Sequence, residues 1–167
     1  MKKLILFFLP VLLLLCCNPE NSNRQYFTES PEIDLVRRGN AAYAAENWQE
    51  LRSMYTDNAK IYDNVWDDSL ALSPDNFISA LQSAADNYTE YTVTDNGMYE
   101  MVIKDDGEKW VHNRMLWIGK HKNGMEVKIP IHTSFLIVDN KVAFQANMYN
   151  ALPAYLADNA QPVASAG

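Results

Sequence analysis

From Trp110 to Asn150 the chain reads as three long antiparallel strands, broken by turns at Lys122-Asn123-Gly124 and Asp139-Asn140-Lys141. Asn-Gly between β-rich runs is a strong hairpin signal, because both central residues of the favoured two-residue turn take positive φ. Consecutive hairpins make these strands neighbours, so the C-terminal half must be a sheet. It also carries most of the side chains able to do chemistry. The stretch therefore implies a sheet that lines a pocket, without naming the pocket's occupant.

Helices precede that sheet. Ser30-Pro31 supplies an N-cap followed by proline in the first turn, and Ile33, Leu35, Val36, Ala42 and Tyr43 form an apolar stripe, predicting a helix from about Pro31 to Ala45. Asn47 with Glu50 three residues on predicts a second, with Trp48, Leu51 and Tyr55 on one face and Asp57-Asn58 at its end. A short strand should follow from Ala59 to Asn64. Ser73-Pro74 repeats the cap, and Phe77, Leu81, Ala84, Ala85 and Tyr88 mark a third amphipathic helix. Tyr91 to Thr94 and Met98 to Lys104 read as strand, with a bulge or turn at Asp95-Asn96-Gly97 and a hairpin loop at Asp105-Asp106-Gly107.

The N-terminus gives an address. Met1-Lys2-Lys3 and the apolar run Leu4 to Leu15 have the form of a secretory signal, too short for a membrane span of roughly 20 residues. Both cysteines, Cys16 and Cys17, stand where the run ends, which removes disulfide frameworks and thiolate metal sites. Leu14-Leu15-Cys16-Cys17 resembles a bacterial lipobox, with Cys16 in place of the usual small residue and Cys17 as the lipidated one. The expected division is a signal peptide over 1–16, a lipidated tether over 17–29, a domain over 30–153 and a C-terminal tail over 154–167. The protein should be exported and membrane-anchored by lipid alone, facing the periplasm or the cell surface. A net charge of −7 with scattered basic residues argues against nucleic acid as a partner.

Helices first and an antiparallel meander afterwards is an α+β layout: a curved antiparallel sheet packed on N-terminal helices around a conical cavity. That order, with Asp57-Asn58-Ala59 leading into Ile61-Tyr62-Asp63, with Ile129-Pro130-Ile131-His132, and with Asp139 to Asn150, resembles the SnoaL-like branch of the nuclear transport factor 2-like superfamily, a cystatin-like architecture. The resemblance covers about residues 31–152. It implies a homodimer formed through the sheet. It also implies that the last strand often ends in an aspartate serving the pocket, where this chain has Asn150, which is no general base.

Within that frame Tyr62, Trp66, Phe77, Trp117, His132 and Tyr149 are the expected ligand-binding residues, since aromatic walls with few polar groups suit an apolar or ring-bearing molecule. His132, in an apolar strand, is the candidate acid-base residue, and core packing is the competing role for it and for the aromatics. Strand parity puts His132 with Ser134 and Leu136, and His112 and Arg114 with Trp110 and Leu116, pointing away from Trp117 and Met115. His121 should be exposed in its turn. Asp63, Asp67 and Asp68 could supply a carboxylate able to take a proton beside a carbonyl, as in related ketosteroid isomerases, although Asp63 alternates with Tyr62 and at most one of them faces inward. No histidine pair has metal-ligand spacing, so neither metal nor cofactor is expected. Nucleophile elbows, phosphate-cradling loops and dinucleotide fingerprints are absent. The favoured function is binding of a small, largely apolar molecule by a lipid-anchored envelope protein. The alternatives are a SnoaL-like isomerase or hydrolase using His132, with Tyr62 or Tyr149 donating to an oxyanion, and a protein-interaction domain.

Overall fold

The computed structural model describes residues 25–160. The signal-like run, Cys17 with its expected lipidation, and residues 161–167 lie outside the described residues.

In chain order the elements are β1 (Gln25–Phe27), α1 (Pro31–Ala44), α2 (Trp48–Ser53), β2 (Tyr55–Asp63), a 3-10 turn (Asp68–Leu70), α3 (Pro74–Ala85), β3 (Tyr88–Ile103), β4 (Lys109–His121), β5 (Glu126–Val138), β6 (Lys141–Tyr149) and α4 (Leu152–Asn159). The fold is α+β, a curved, unclosed sheet with helices on one face. Its strand order is β1-β3-β4-β5-β6-β2, antiparallel except where β2 runs parallel to β6.

Local chemistry sets the helix starts. The Ile33 amide donates to Ser30 Oγ at 3.1 Å, the Glu50 amide to Asn47 Oδ1 at 3.3 Å and the Asn76 amide to Ser73 Oγ at 3.3 Å, so each cap satisfies an amide that the helix leaves free. Their ends are set by the sheet. Met54 is the last cap residue of α2, and its carbonyl accepts from the Val142 amide at 2.8 Å, so Tyr55 opens β2 rather than continuing a helix. Tyr88 likewise begins β3 instead of closing α3. At the termini, Gln25–Phe27 pairs with Met101–Ile103 where a tether was expected, and the expected tail begins inside α4.

The hairpins distribute positive φ differently from the simplest reading. Asp139 (φ 49°) and Asn140 (φ 59°) form the two-residue turn. At Lys122-Asn123-Gly124 the loop has three residues, closed by Gly124 N–H to the His121 carbonyl at 2.8 Å, and only Gly124 is left-handed (φ 92°). The register also shifts at Asp95/Met98 and at Leu136/Ile137.

The core lies between the helices and the inner face of the sheet, where Ile33, Ile61, Val111 and Val142 are fully buried. A smaller cluster of Trp117, Val127 and Ile129 is covered by Ala157 of α4. That helix also covers His121. Its side chain is only 13% exposed and meets Asp158 Oδ1 through Nε2 at 3.2 Å, which corrects the expectation of an exposed residue.

Candidate functional site

A cavity of about 230 Å³ opens between the helices and the inner face of the sheet. Val36, Leu51, Met54, Phe77 and Leu81 wall it on the helical side, and Met115, Trp117, Ile129, Ile131 and Phe135 on the sheet side. Alternation along β6 brings Gln145, Asn147 and Tyr149 to the same inner face, and the parallel pairing of Asp63 with Asn147 sets Asp63 beside them.

These polar side chains form one connected stripe. Tyr55 Oη donates to Gln145 Oε1 at 2.5 Å, and Gln145 Nε2 donates to Asn147 Oδ1 at 2.8 Å. Thr133 Oγ1 donates to the same Asn147 oxygen at 3.0 Å. Asn147 Nδ2 then donates to Asp63 Oδ1 at 3.0 Å, and Tyr149 Oη to Asp63 Oδ2 at 3.2 Å. Every bond is oriented so that donors run toward the carboxylate. Burial pushes the Tyr149 phenol well above its usual pKa, and the charge of Asp63 and the bond to it push the same way. Burial also raises Tyr55, with Asp63 as the second cause. Both are therefore firmly protonated donors at neutral pH.

A second group shapes the aromatic wall. Trp117 Nε1 donates to Tyr43 Oη at 3.1 Å, Tyr91 Oη donates to the Tyr43 carbonyl at 3.1 Å, and Tyr88 meets the indole edge-on with centroids 4.7 Å apart. Burial raises Tyr43 and brings Tyr91 up to about 12.

Of the residues expected at the pocket, Phe77, Trp117 and Tyr149 line this cavity. Tyr62, Trp66 and His132 do not, and these placements are corrected. Asp63 takes the inward position of its pair. Tyr62 faces outward, packed between Trp66 and Phe144 with centroids at 5.6 and 5.2 Å, its hydroxyl donating to Asp68 Oδ1 at 2.5 Å. Trp66 is 77% exposed. His132 is exposed on the outer face, opposite Arg114 on β4 and Met148 on β6, with the His112 ring 6.1 Å away. The reason is register. The three-residue loop pairs Trp117 with Ile129 and Met115 with Ile131, so a wall containing Trp117 excludes His132.

Tyr43, Tyr55, Thr133, Gln145 and Asn147 were not singled out by sequence reasoning. Three of these and Tyr149 had a visible signal: Gln145, Asn147 and Tyr149 share one parity of a strand whose other parity holds Phe144, Ala146 and Met148, and Thr133 pairs with Asn147. Asn150, at the strand end, is exposed and accepts from the Leu152 amide at 3.0 Å. His112, Arg114 and His132 border a separate outer cleft of about 200 Å³ with Glu100 and Tyr26. Among the described residues no group of three or more His, Cys, Asp or Glu is placed to hold a metal ion.

No known sequence family matches the chain, and no curated protein does. Solved structures do. IdmH from Streptomyces antibioticus, described as a candidate polyketide cyclase, superposes with a TM-score of 0.61 at 13% identity, covering 79% of this chain and 100% of that one. A candidate SnoaL-like polyketide cyclase from a Jannaschia species gives 0.60 at 17% identity, covering 81% and 96%. A hypothetical protein with a ketosteroid isomerase-like fold from Catenulispora acidiphila, solved in complex with trimethylamine, gives 0.58 at 13% identity, covering 77% and 98%. The chain has the SnoaL-like fold. At these identities the likeness speaks for architecture, and function rests on the site.

Proposed function

We propose that this protein binds a small, largely apolar molecule in the inner cavity, with the ligand's polar end against the Asp63 stripe. The observation that carries this reading is a largely apolar space of about 230 Å³ with a connected hydrogen-bonded stripe of polar groups ending at Asp63 along one wall, the composition of a ligand site rather than of a filled core. The small molecule held by the Catenulispora protein supports it at the level of the fold. Native mass spectrometry of protein purified from its own host tests it directly, by the mass of a retained molecule. In parallel, the neutral fluorophore N-phenyl-1-naphthylamine should brighten on binding, and Trp117→Ala should weaken it several-fold by removing wall area. Binding unchanged by that substitution would put the ligand elsewhere.

The proposal includes the address. Leu14-Leu15-Cys16-Cys17 supports lipidation at Cys17, and so an exported protein anchored on a periplasmic or surface-facing membrane. Labelled fatty acid should enter the parent and not Cys17→Ser. It also includes a homodimer through the outer face of the sheet, where Met98 and Met148 are 53% and 62% exposed.

A second reading, catalysis, is favoured by one observation: Asp63 is the one carboxylate among the cavity-lining residues, and a protonated Tyr149 stands beside it. An isomerase of this kind would use Asp63 as the base and not His132. Asp63→Asn should then lower turnover by roughly 10²-fold or more, whereas His132→Gln should leave it intact.

A further inference from the structure

The charge balance of the cavity narrows the ligand class. Among the described residues Asp63 is the only one lining it that carries a formal charge, and no described lysine, arginine or histidine lines it. Asp63 forms no ion pair with a described residue, and its two partners, the Asn147 amide and the Tyr149 phenol, are neutral. A half-buried carboxylate beside apolar walls without a counter-ion is a ready partner for an entering cation.

The remaining polar atoms point the same way. The hydroxyl hydrogens of Tyr55, Thr133 and Tyr149 are engaged within the stripe and the Trp117 N–H is spent on Tyr43, so the donors left to the cavity are neutral ones, the Tyr43 and Tyr88 hydroxyls and the second amide hydrogens of Asn40, Gln145 and Asn147, none of which balances a charge. The only formal charge a newcomer meets from the described lining residues is thus negative, beside the electron-rich rings of Tyr43, Tyr88, Trp117 and Tyr149, a combination that attracts ammonium groups and repels carboxylates and phosphates. The charge of Asp63 reaches the Tyr43, Tyr55 and Tyr149 phenols, so rings and carboxylate share one electrostatic environment.

We propose that the ligand is a cation, a small amine or quaternary ammonium with an apolar body of about ring size, whose positive nitrogen pairs with Asp63 while its body fills the space between Phe77 and Trp117. This rests on the cavity-binding reading above and goes beyond it in fixing the sign of the charge.

The test uses three probes of nearly one shape: benzyltrimethylammonium, its neutral carbon isostere neopentylbenzene, and phenylmethanesulfonate. Each competes with N-phenyl-1-naphthylamine on the full chain at low ionic strength. The cation should bind at least about tenfold tighter than the isostere, and the sulfonate weakest. Asp63→Asn should cut the ratio of cation to isostere affinity at least several-fold, leaving only what the rings contribute. Tyr149→Phe keeps the carboxylate and removes one of its donors, so there the ratio should hold or rise. An isostere that binds as tightly as the cation overturns this inference alone and leaves apolar binding standing. A preference undiminished in Asp63→Asn, or lost in Tyr149→Phe, overturns the assignment to Asp63. If no probe displaces the fluorophore from folded protein, the cavity reading falls and this inference with it.

Discussion

Gly119 decides where Trp117 lies. The two residues sit two apart on β4 and share its inner face, and a Cβ at 119 would collide with the Trp117 six-membered ring and stand 2.8 Å from Tyr88 Cδ1. Gly119→Ala should therefore tilt the indole out of the cavity wall, cost about 1–3 kcal/mol, and shift tryptophan emission. Unchanged emission and stability would show that the wall can yield. His132 gives the contrary case. From the outer face it has no path to the cavity, so His132→Gln should leave N-phenyl-1-naphthylamine binding unaltered, and a several-fold loss would contradict the register described above. Glu32 offers a pH-dependent test. Burial opposes its ionisation, but the bond from Lys109 outweighs this with its own backbone amide and Ser30, and the pKa ends below the usual value. A depressed folded value means that the stabilisation is present above the unfolded value of about 4.3 and is lost as pH falls through the lower, folded one. Glu32→Gln should lower stability by about 1 kcal/mol near neutrality, and the gap between variant and parent should close in denaturant melts at progressively acid pH.

Among the elements, α4 is the one held most visibly by single contacts. Asn123 Nδ2 donates to the Ala157 carbonyl at 2.7 Å while its Oδ1 accepts from the Met125 amide at 3.0 Å, so one side chain closes the hairpin loop and docks the helix. Asn123→Ala should cost about 1–2 kcal/mol and speed amide exchange across Leu152–Asn159 before the rest of the molecule; uniform exchange would mean that the buried Ala157 alone secures it. This helix was also the least legible in sequence. Its cap residue Ala151 makes no side-chain capping bond, whereas α1 and α3 announce themselves through Ser30-Pro31 and Ser73-Pro74. Local signals carried what is locally decided: caps, hairpin turns and the antiparallel meander. The end of α2 was hidden because Tyr55 answers to Val142 on β6, far along the chain. The site was half legible for the same reason. Phe77, Trp117 and Tyr149 follow from aromatic content and parity, but which of Tyr62 and Asp63 turns inward, and to which face His132 belongs, depend on pairing between strands, where one residue of slip exchanges the faces.

For the molecule as a whole, the outer sheet face is the surface on which the proposed dimer would form. Met98, Met148, Tyr26 and Trp66 are exposed there or at its edge, at 53, 62, 61 and 77%. Sedimentation at micromolar concentration should find a dimer, and Met148→Lys should shift it to monomer without changing the helical content; a parent that sediments as a monomer would refute the expectation. The parallel pairing of β2 with β6 has a bearing on time as well as on shape. Asp63 is made early in synthesis, yet the partners that hold it, Asn147 and Tyr149, belong to the last strand. Closing so long a loop is entropically slow, so the hairpins β3-β4 and β4-β5 can form while β2 still waits at an open edge. The Asp63 stripe is thus the last part of the cavity wall to be completed, and a nascent or truncated chain that stops short of Lys141 would lack the proposed ligand site, however much of its sheet is in place.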